Sequence, residues 1–304
     1  MNRVQSQELV HALQTGDISR REFLTRATVA FGSLAAATSL LAACAPVAGP
    51  PPPVVDATQP PTSPGLASED GLSAGVVEYA EAGGEKLTGY LAFDEDGEQK
   101  PAVIVIQEWW GLNDHIKEVA RRFAGAGFVA FAPDLYHGVA TTEPNEARKL
   151  AMALDSAAAV SEIQQAMTWL RAQDGSNGKV GIVGFCMGGG LVLQTAASDP
   201  SLDAAVVFYG SPLGPGEAAR VRAPILSLLG SADRIPADGY RAMHAVFDAS
   251  GVPNEFQLYE GAQHAFFNDT RASSYDPVAA ADAWERTLAW FRFYLSGASG
   301  SARE

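Results

Sequence analysis

The sequence predicts an α/β fold: a doubly wound, mostly parallel sheet with helices on both faces. Three observations carry that prediction. Apolar runs of strand length alternate with helix-length segments between residues 102 and 295, the pattern of successive βαβ units. Runs such as Ala102-Val103-Ile104-Val105-Ile106 are apolar without alternation, the mark of strands buried on both faces. The stretch from Lys179 to Gly190 passes from one such run straight into a helix-compatible segment, through glycines.

Taken in order, residues 76–80 and 87–93 read as two antiparallel strands joined at Gly83-Gly84. The buried strand 102–106 leads into Gln107-Glu108-Trp109-Trp110-Gly111-Leu112. A helix follows to about residue 125, with Asn113 or Asp114 as its N-cap. Residues 128–132 form the next strand, ending at Pro133-Asp134-Leu135-Tyr136. Residues 143–171 are largely helical, as one helix or two, and Asp174-Gly175-Ser176-Asn177-Gly178 turns the chain back into the strand that ends at Phe185. Beyond the helix 191–197, strands are expected at 204–209, 225–229 and 255–259, with helices at 237–249 and 277–295. No internal repeat is evident.

Composition narrows the function classes. The chain has 304 residues, is 47% hydrophobic and carries a formal net charge of -14. That describes a globular protein and argues against nucleic acid as a partner, since phosphate neutralisation needs clustered Lys and Arg. There is no GxxxxGK[ST] loop, CxxC pair or HExxH, so no phosphate loop, zinc ribbon or zincin is expected, and no metal or organic cofactor is called for. A monomer acting on a small molecule is expected.

The amino-terminus reads as an address. Ser19-Arg20-Arg21-Glu22-Phe23-Leu24 is a twin-arginine signal, and the weakly apolar run 27–43 ends in Leu41-Ala42-Ala43-Cys44, similar to a bacterial lipobox whose cysteine is lipidated. Export to the periplasm or cell envelope is expected, with membrane contact only through an anchor on Cys44. Residues 45–71, with Pro50-Pro51-Pro52-Pro53 and Pro60-Pro61, read as an extended linker. The expected organisation is signal 1–44, linker 45–71, catalytic domain 72–298 and tail 299–304. Cys44 and Cys186 are the two cysteines. A disulfide between them is one arrangement, but their separate local signatures favour two independent thiols.

Gly184-Phe185-Cys186-Met187-Gly188 fits G-x-Nuc-x-G between strand and helix, with cysteine as nucleophile. The residues two before and two after it must be small for strand and helix to approach. The Met187 N–H then lies at a helix N-terminus, where an oxyanion can be held. Two further groups follow strand ends, where functional residues of open α/β sheets collect. Asp233 comes after 225–229 through Gly230-Ser231-Ala232, and His264 after 255–259 through Glu260-Gly261-Ala262-Gln263. The order nucleophile, acid, histidine is the one used by α/β-hydrolases. A thiol needs a neighbouring base to be mostly thiolate at neutral pH. His264 can take the proton, and Asp233 can hold the imidazole in one tautomer.

These motifs, with Gln107-Glu108-x-x-Gly111, Pro133-Asp134-Leu135-Tyr136, Ser176-Asn177-Gly178-Lys179-Val180-Gly181 and His264-Ala265-Phe266, resemble the dienelactone hydrolase family from about residue 75 to 295. The resemblance implies an α/β-hydrolase fold, Cys186 as nucleophile, His264 as base and Asp233 as its orienter. It implies that Glu108 contacts the resting cysteine, and that the N–H groups of Met187 and Trp109 form the oxyanion hole. The implied reaction opens an enol-lactone, or cleaves a small ester, through an acyl thioester.

The chain departs from the family at two substrate-binding arginines, where it has Asn268 and Pro144. Arg271 and Arg148 lie near those positions. With Trp110 and Tyr136 they are the expected substrate contacts, and Trp109-Trp110 suggests an aromatic wall. A general carboxylesterase with the same triad is the alternative reading. A non-catalytic exported envelope binding protein is the reading from a different class.

Overall fold

In the computed structural model of the protein, residues 67–69 and 71–296 are described. The expected signal, Cys44, the Pro-rich stretch up to residue 66 and the tail lie outside the described residues.

Among the described residues nine strands form one sheet in the order β1-β2-β3-β5-β4-β6-β7-β8-β9. On one side β1 (Ala67–Glu69), β2 (Leu72–Ala82) and β3 (Glu85–Asp94) run antiparallel to their neighbours, and β3 pairs antiparallel with β5 (Val129–Pro133). From β5 the pairing is parallel through β4 (Lys100–Ile106), β6 (Ser176–Phe185), β7 (Ala204–Phe208), β8 (Ile225–Gly230) and β9 (Asn254–Tyr259). The helices are α1 (Asp114–Gly125), α2 (Pro144–Ala153), α3 (Ser156–Arg171), α4 (Met187–Ser198), α5 (Pro215–Ala218), α6 (Ala237–Ala249) and α7 (Pro277–Leu295).

The helices start where side chains can serve orphan backbone donors. Asn113 Oδ1 accepts the Ile116 N–H at 3.2 Å. Asp155 caps Ala157 and Ala158, and Asp276 caps Val278 and Ala279 behind Pro277. Two glycines of β6 show how the layers stack. Gly181 and Gly184 point to opposite faces of the strand. A Cβ on Gly181 would meet the Phe291 ring of α7 at 2.6 Å, whereas one on Gly184 would meet Gly188 and Val192 of α4. Each face is therefore roofed by a helix lying directly on the sheet. On the α7 side an aromatic cluster continues the core, with Phe123 of α1 6.0 Å from Phe291 and 4.6 Å from Trp284 between ring centroids. Arg122 sits over Trp284 at 4.3 Å, a cation–π contact.

The structure differs from the sequence reading at three places. Among the described residues the sheet begins at Ala67, inside the stretch expected to be linker, because Ala67 to Glu69 pair antiparallel with β2. Strand β6 begins at Ser176, in residues expected to form a turn, with Ser176 set against Lys100 before a register shift. The short helix α5 carried no periodic apolar signal. It is started by Pro215 at its first position.

Candidate active site

Cys186 stands between β6 and α4 with φ 55° and ψ -116°, a region that costs a non-glycine residue about 1–3 kcal/mol. The two flanking glycines make the bend sterically feasible. A Cβ on Gly188 would lie 2.5 Å from the Gln107 carbonyl oxygen and 2.6 Å from that of Ile106, and Gly184 packs on Gly188 itself. The Cys186 N–H donates to the Phe208 carbonyl at 3.0 Å, which ties the bend to β7. The thiol is free and half-buried. The N–H groups of Met187 and Trp109 engage no backbone acceptor among the described residues.

Asp233 and His264 come from the loops after β8 and β9, which are laced together. Ser231 N–H donates to the Tyr259 carbonyl at 2.8 Å, Ala232 N–H to that of Ala262 at 3.0 Å, and Gly261 N–H to Ser231 Oγ at 2.8 Å. Gly230 lies so close to the Ala262 carbonyl that a Cβ there would overlap it. Asp233 Oδ1 accepts the Ile235 N–H at 2.9 Å, and Oδ2 lies 2.8 Å from His264 Nδ1. With the carboxylate accepting, Nδ1 carries the proton and Nε2 is the lone-pair nitrogen of the neutral ring. Nε2 is buried without an aligned partner, while the thiol of Cys186 interacts with the ring. Burial works against the charged imidazole, but the bond to Asp233 and the neighbouring Cys186 outweigh it, and the His264 pKa is pushed up to about 9.

Glu108, at the end of β4, is 2% exposed. It accepts from Asn268 Nδ2 at 2.7 Å. The family resemblance expects Glu108 at the resting cysteine, and Glu108 and Cys186 line one cleft. Asn268 is buried on the His264 loop and presents the donor to Glu108 Oε2, which the sequence reading treated only as an absent arginine. Burial raises the Glu108 pKa, opposed by Asn268, His264, Arg271 and the hydroxyl of Tyr209. Tyr209 also went unnoticed in the sequence. It directly follows β7 with φ 40°, is fully buried, and packs its ring edge-on to His264 at 5.1 Å. Its pKa is raised by burial and then by the charge of Glu108. Nothing in an apolar run followed by one tyrosine distinguishes this residue from ordinary core.

A cleft of about 260 Å³ is lined by Glu108, Trp109, Trp110, Cys186, Arg234, His264 and Arg271. Trp109 and Trp110 meet edge to face at 4.8 Å. Tyr136 lies beside the elbow, its hydroxyl donating to Met187 Sδ at 3.3 Å, and burial pushes its pKa up to about 12. Arg148 is the expected residue that is not brought in. It is exposed on α2 and does not line the cleft, because α2 turns only Ala147 inward. The other histidines among the described residues have structural partners: His115 with Asp269 at 3.3 Å, His137 with Glu162 at 3.1 Å, and His244 with Asn254 at 2.6 Å. Among the described residues no group of His, Cys, Asp and Glu could hold a metal ion.

The family model described as the dienelactone hydrolase family matches residues 87–295, from β3 to the end of α7. The chain belongs to the dienelactone hydrolase family. Two relatives are 38% and 36% identical: protein usf of Aquifex pyrophilus, and a protein of Aquifex aeolicus that carries the name carboxymethylenebutenolidase. The first alignment covers 73% of this chain and 99% of the relative, the second 72% and 98%. Among solved structures, a dienelactone hydrolase-like promiscuous phosphotriesterase from metagenomic libraries is similar at 29% identity and a TM-score of 0.68, covering 74% of this chain and all of the other. The protein is thus a hydrolase of the α/β-hydrolase superfamily. In this dienelactone hydrolase family member, the matched segment carries Glu108, Cys186, Asp233, His264 and Asn268 together.

Proposed function

We propose that the protein hydrolyses small esters or enol-lactones by nucleophilic catalysis, with Cys186, His264 and Asp233 as its triad. The observation that carries this reading is the 2.8 Å contact of Asp233 with His264 Nδ1, which leaves Nε2 to serve the strained Cys186 elbow. In the first step His264 Nε2 holds the proton of the Cys186 thiol while the sulfur attacks the acyl carbon. The N–H groups of Met187 and Trp109 receive the negative oxygen of the tetrahedral intermediate. The C–O bond to the leaving oxygen then breaks, and His264 returns the proton to that oxygen. In a lactone the leaving oxygen stays tethered to the acyl thioester. Water next attacks the thioester, giving its proton to His264. The C–S bond breaks, the acid departs and the sulfur takes the proton back. Every group used belongs to this chain.

The site is tested by incubating Cys186→Ala and Cys186→Ser with p-nitrophenyl esters and an enol-lactone, and by intact-mass measurement of the wild-type protein quenched during turnover. The expected result is a mass increase of one acyl group on Cys186, no turnover by Cys186→Ala and a trace by Cys186→Ser. Wild-type turnover by Cys186→Ala would overturn the reading.

We further propose that the protein is exported by the twin-arginine route and anchored through Cys44. The order Arg20-Arg21, apolar run, Leu41-Ala42-Ala43-Cys44 supports this. Cys44→Ala is expected to move the protein from the membrane fraction to the soluble envelope fraction, and an unchanged membrane association would count against the anchor.

A further inference from the structure

A second histidine is held like His264, but by an uncharged partner. His244 of α6 is buried against β8 and β9. Its Nδ1 lies 2.6 Å from Asn254 Oδ1 on β9, and its Nε2 lies 2.9 Å from the Oγ of Ser227, which is wholly buried in β8. Asn254 Nδ2 donates to Asp248 Oδ1 at 2.8 Å and to the Val252 carbonyl at 2.9 Å, so the amide oxygen is the atom that faces the ring. Nδ1 therefore carries the ring proton, and Nε2 accepts from the Ser227 hydroxyl. That pattern holds only while the ring is neutral. Phe247 and Phe256 enclose the ring at 5.3 Å and 5.5 Å between centroids. The charged group nearest to it is Asp248 on α6 itself, which is exposed and touches Asn254. On β9, Glu255 is taken up by Arg286 at 2.6 Å, and Tyr240 of α6 keeps its hydroxyl on the Gly210 carbonyl at 2.6 Å.

We propose that Ser227, His244 and Asn254 form an acid-sensitive latch, in which protonation of His244 loosens α6 from β8 and β9, the strands whose loops present Asp233 and His264. The two strands are neighbours, with Ile225 opposite Asn254 and Ser227 opposite Phe256, so one ring ties the helix to both. A proton on Nε2 would face a hydroxyl that already directs its own hydrogen there, and would leave a charge in a poorly solvated place. Burial lowers the His244 pKa against the opposing pull of Asn254 and Asp248. An opened ring takes up its proton below about pH 6.5, whereas the latched ring resists it. The latch is therefore at full strength above about pH 6.5 and weakens as pH falls below that value, the reverse of the behaviour of His264. The difference lies in the group on Nδ1, a carboxylate for His264 and an amide for His244.

The test is hydrogen–deuterium exchange of the whole protein on either side of about pH 6.5, each rate divided by the intrinsic exchange rate at that pH, with α4 as internal reference. In the wild-type protein the exchange of α6 and β9 is expected to rise relative to α4 on acidification, by up to about tenfold per pH unit, the limit for one proton. Exchanging the two partners, Asp248→Asn together with Asn254→Asp, keeps side-chain size and net charge but puts the carboxylate on Nδ1. It is expected to abolish the rise, as is His244→Gln, which cannot titrate. Near-ultraviolet circular dichroism checks that each variant is folded, and if the double variant is not, His244→Gln decides alone. A merely structural role would change exchange by the same factor at every pH. No acid rise in the wild-type protein, or the same rise in the folded variants, overturns the proposal. The measurement involves no turnover, so it stands apart from the role given to Cys186.

Discussion

The two ends of the sheet handle backbone strain differently. Among the described residues, the non-glycine residues with positive φ are His137, Cys186, Tyr209 and Ala265, and each follows the carboxyl end of a strand: β5, β6, β7 and β9. On the antiparallel side the positive-φ positions are Gly71, Gly83, Gly84 and Gly97, where the conformation costs little. Glu108, Tyr209 and the His264 Nε2 are buried at the strained end, and β2 and β3 carry the exposed Lys86–Glu78 pair at 2.9 Å. Non-glycine strain collects where chemistry is proposed, and the hairpin side is built from relaxed glycine turns.

The sharpest way to break this comparison is Cys186→Gly. It is expected to reduce ester hydrolysis about 10⁴-fold or more, yet to raise unfolding free energy by roughly 1 kcal/mol as the strained φ is relieved. A loss of stability in urea titration would show that the bend is not strained. Asp233→Asn comes next, with an expected fall in kcat/KM of about 10³-fold, read by steady-state kinetics. A pair of glycine variants then compares the two ends directly. Gly188→Ala drives a Cβ into the Gln107 carbonyl and is expected to cost on the order of 3 kcal/mol with loss of activity. Gly84→Ala, at φ 86° with open space around it, is expected to cost about 1 kcal/mol and leave activity intact. Equal costs at the two positions would remove the distinction.

The pH dependence follows from His264. Its folded pKa of about 9 lies above the ordinary imidazole value. The charged ring therefore stabilises the fold fully below about pH 6.5, and that contribution is lost as pH rises through about 9. Melting temperature should fall over this window in the wild-type protein and fall less in His264→Gln. An identical profile in both would remove the contribution assigned to the Asp233–His264 pair. The smallest effect is expected from Lys86→Ala on the exposed hairpin, within about 0.5 kcal/mol.

Much of the site was legible because strand, turn and helix signals are local. A nucleophile flanked by glycines, and an acid and a histidine each a few residues past a strand end, can be found by walking the chain. Asn268 was visible only as a departure from a pattern, since its value lies in a contact with Glu108 across 160 positions of sequence. Tyr209 had no signal, because a buried tyrosine at a strand end reads as packing. Arg148 was misplaced for the converse reason: closeness in sequence to a family position does not tell which way a helix face turns.

By itself the sequence determined the order of the elements, the parallel sheet, the elbow and the identity of the groups that reach its carboxyl edge. Those depend on apolar periodicity, glycine and proline, and each residue carries such information wherever the chain later goes. Only the tertiary structure decided what faces what: that Glu108 accepts from Asn268, that Tyr209 packs against His264, and that Arg148 stays outside. Such pairings are set by packing between distant strands, where burial forces each polar atom toward whichever partner geometry has placed within reach.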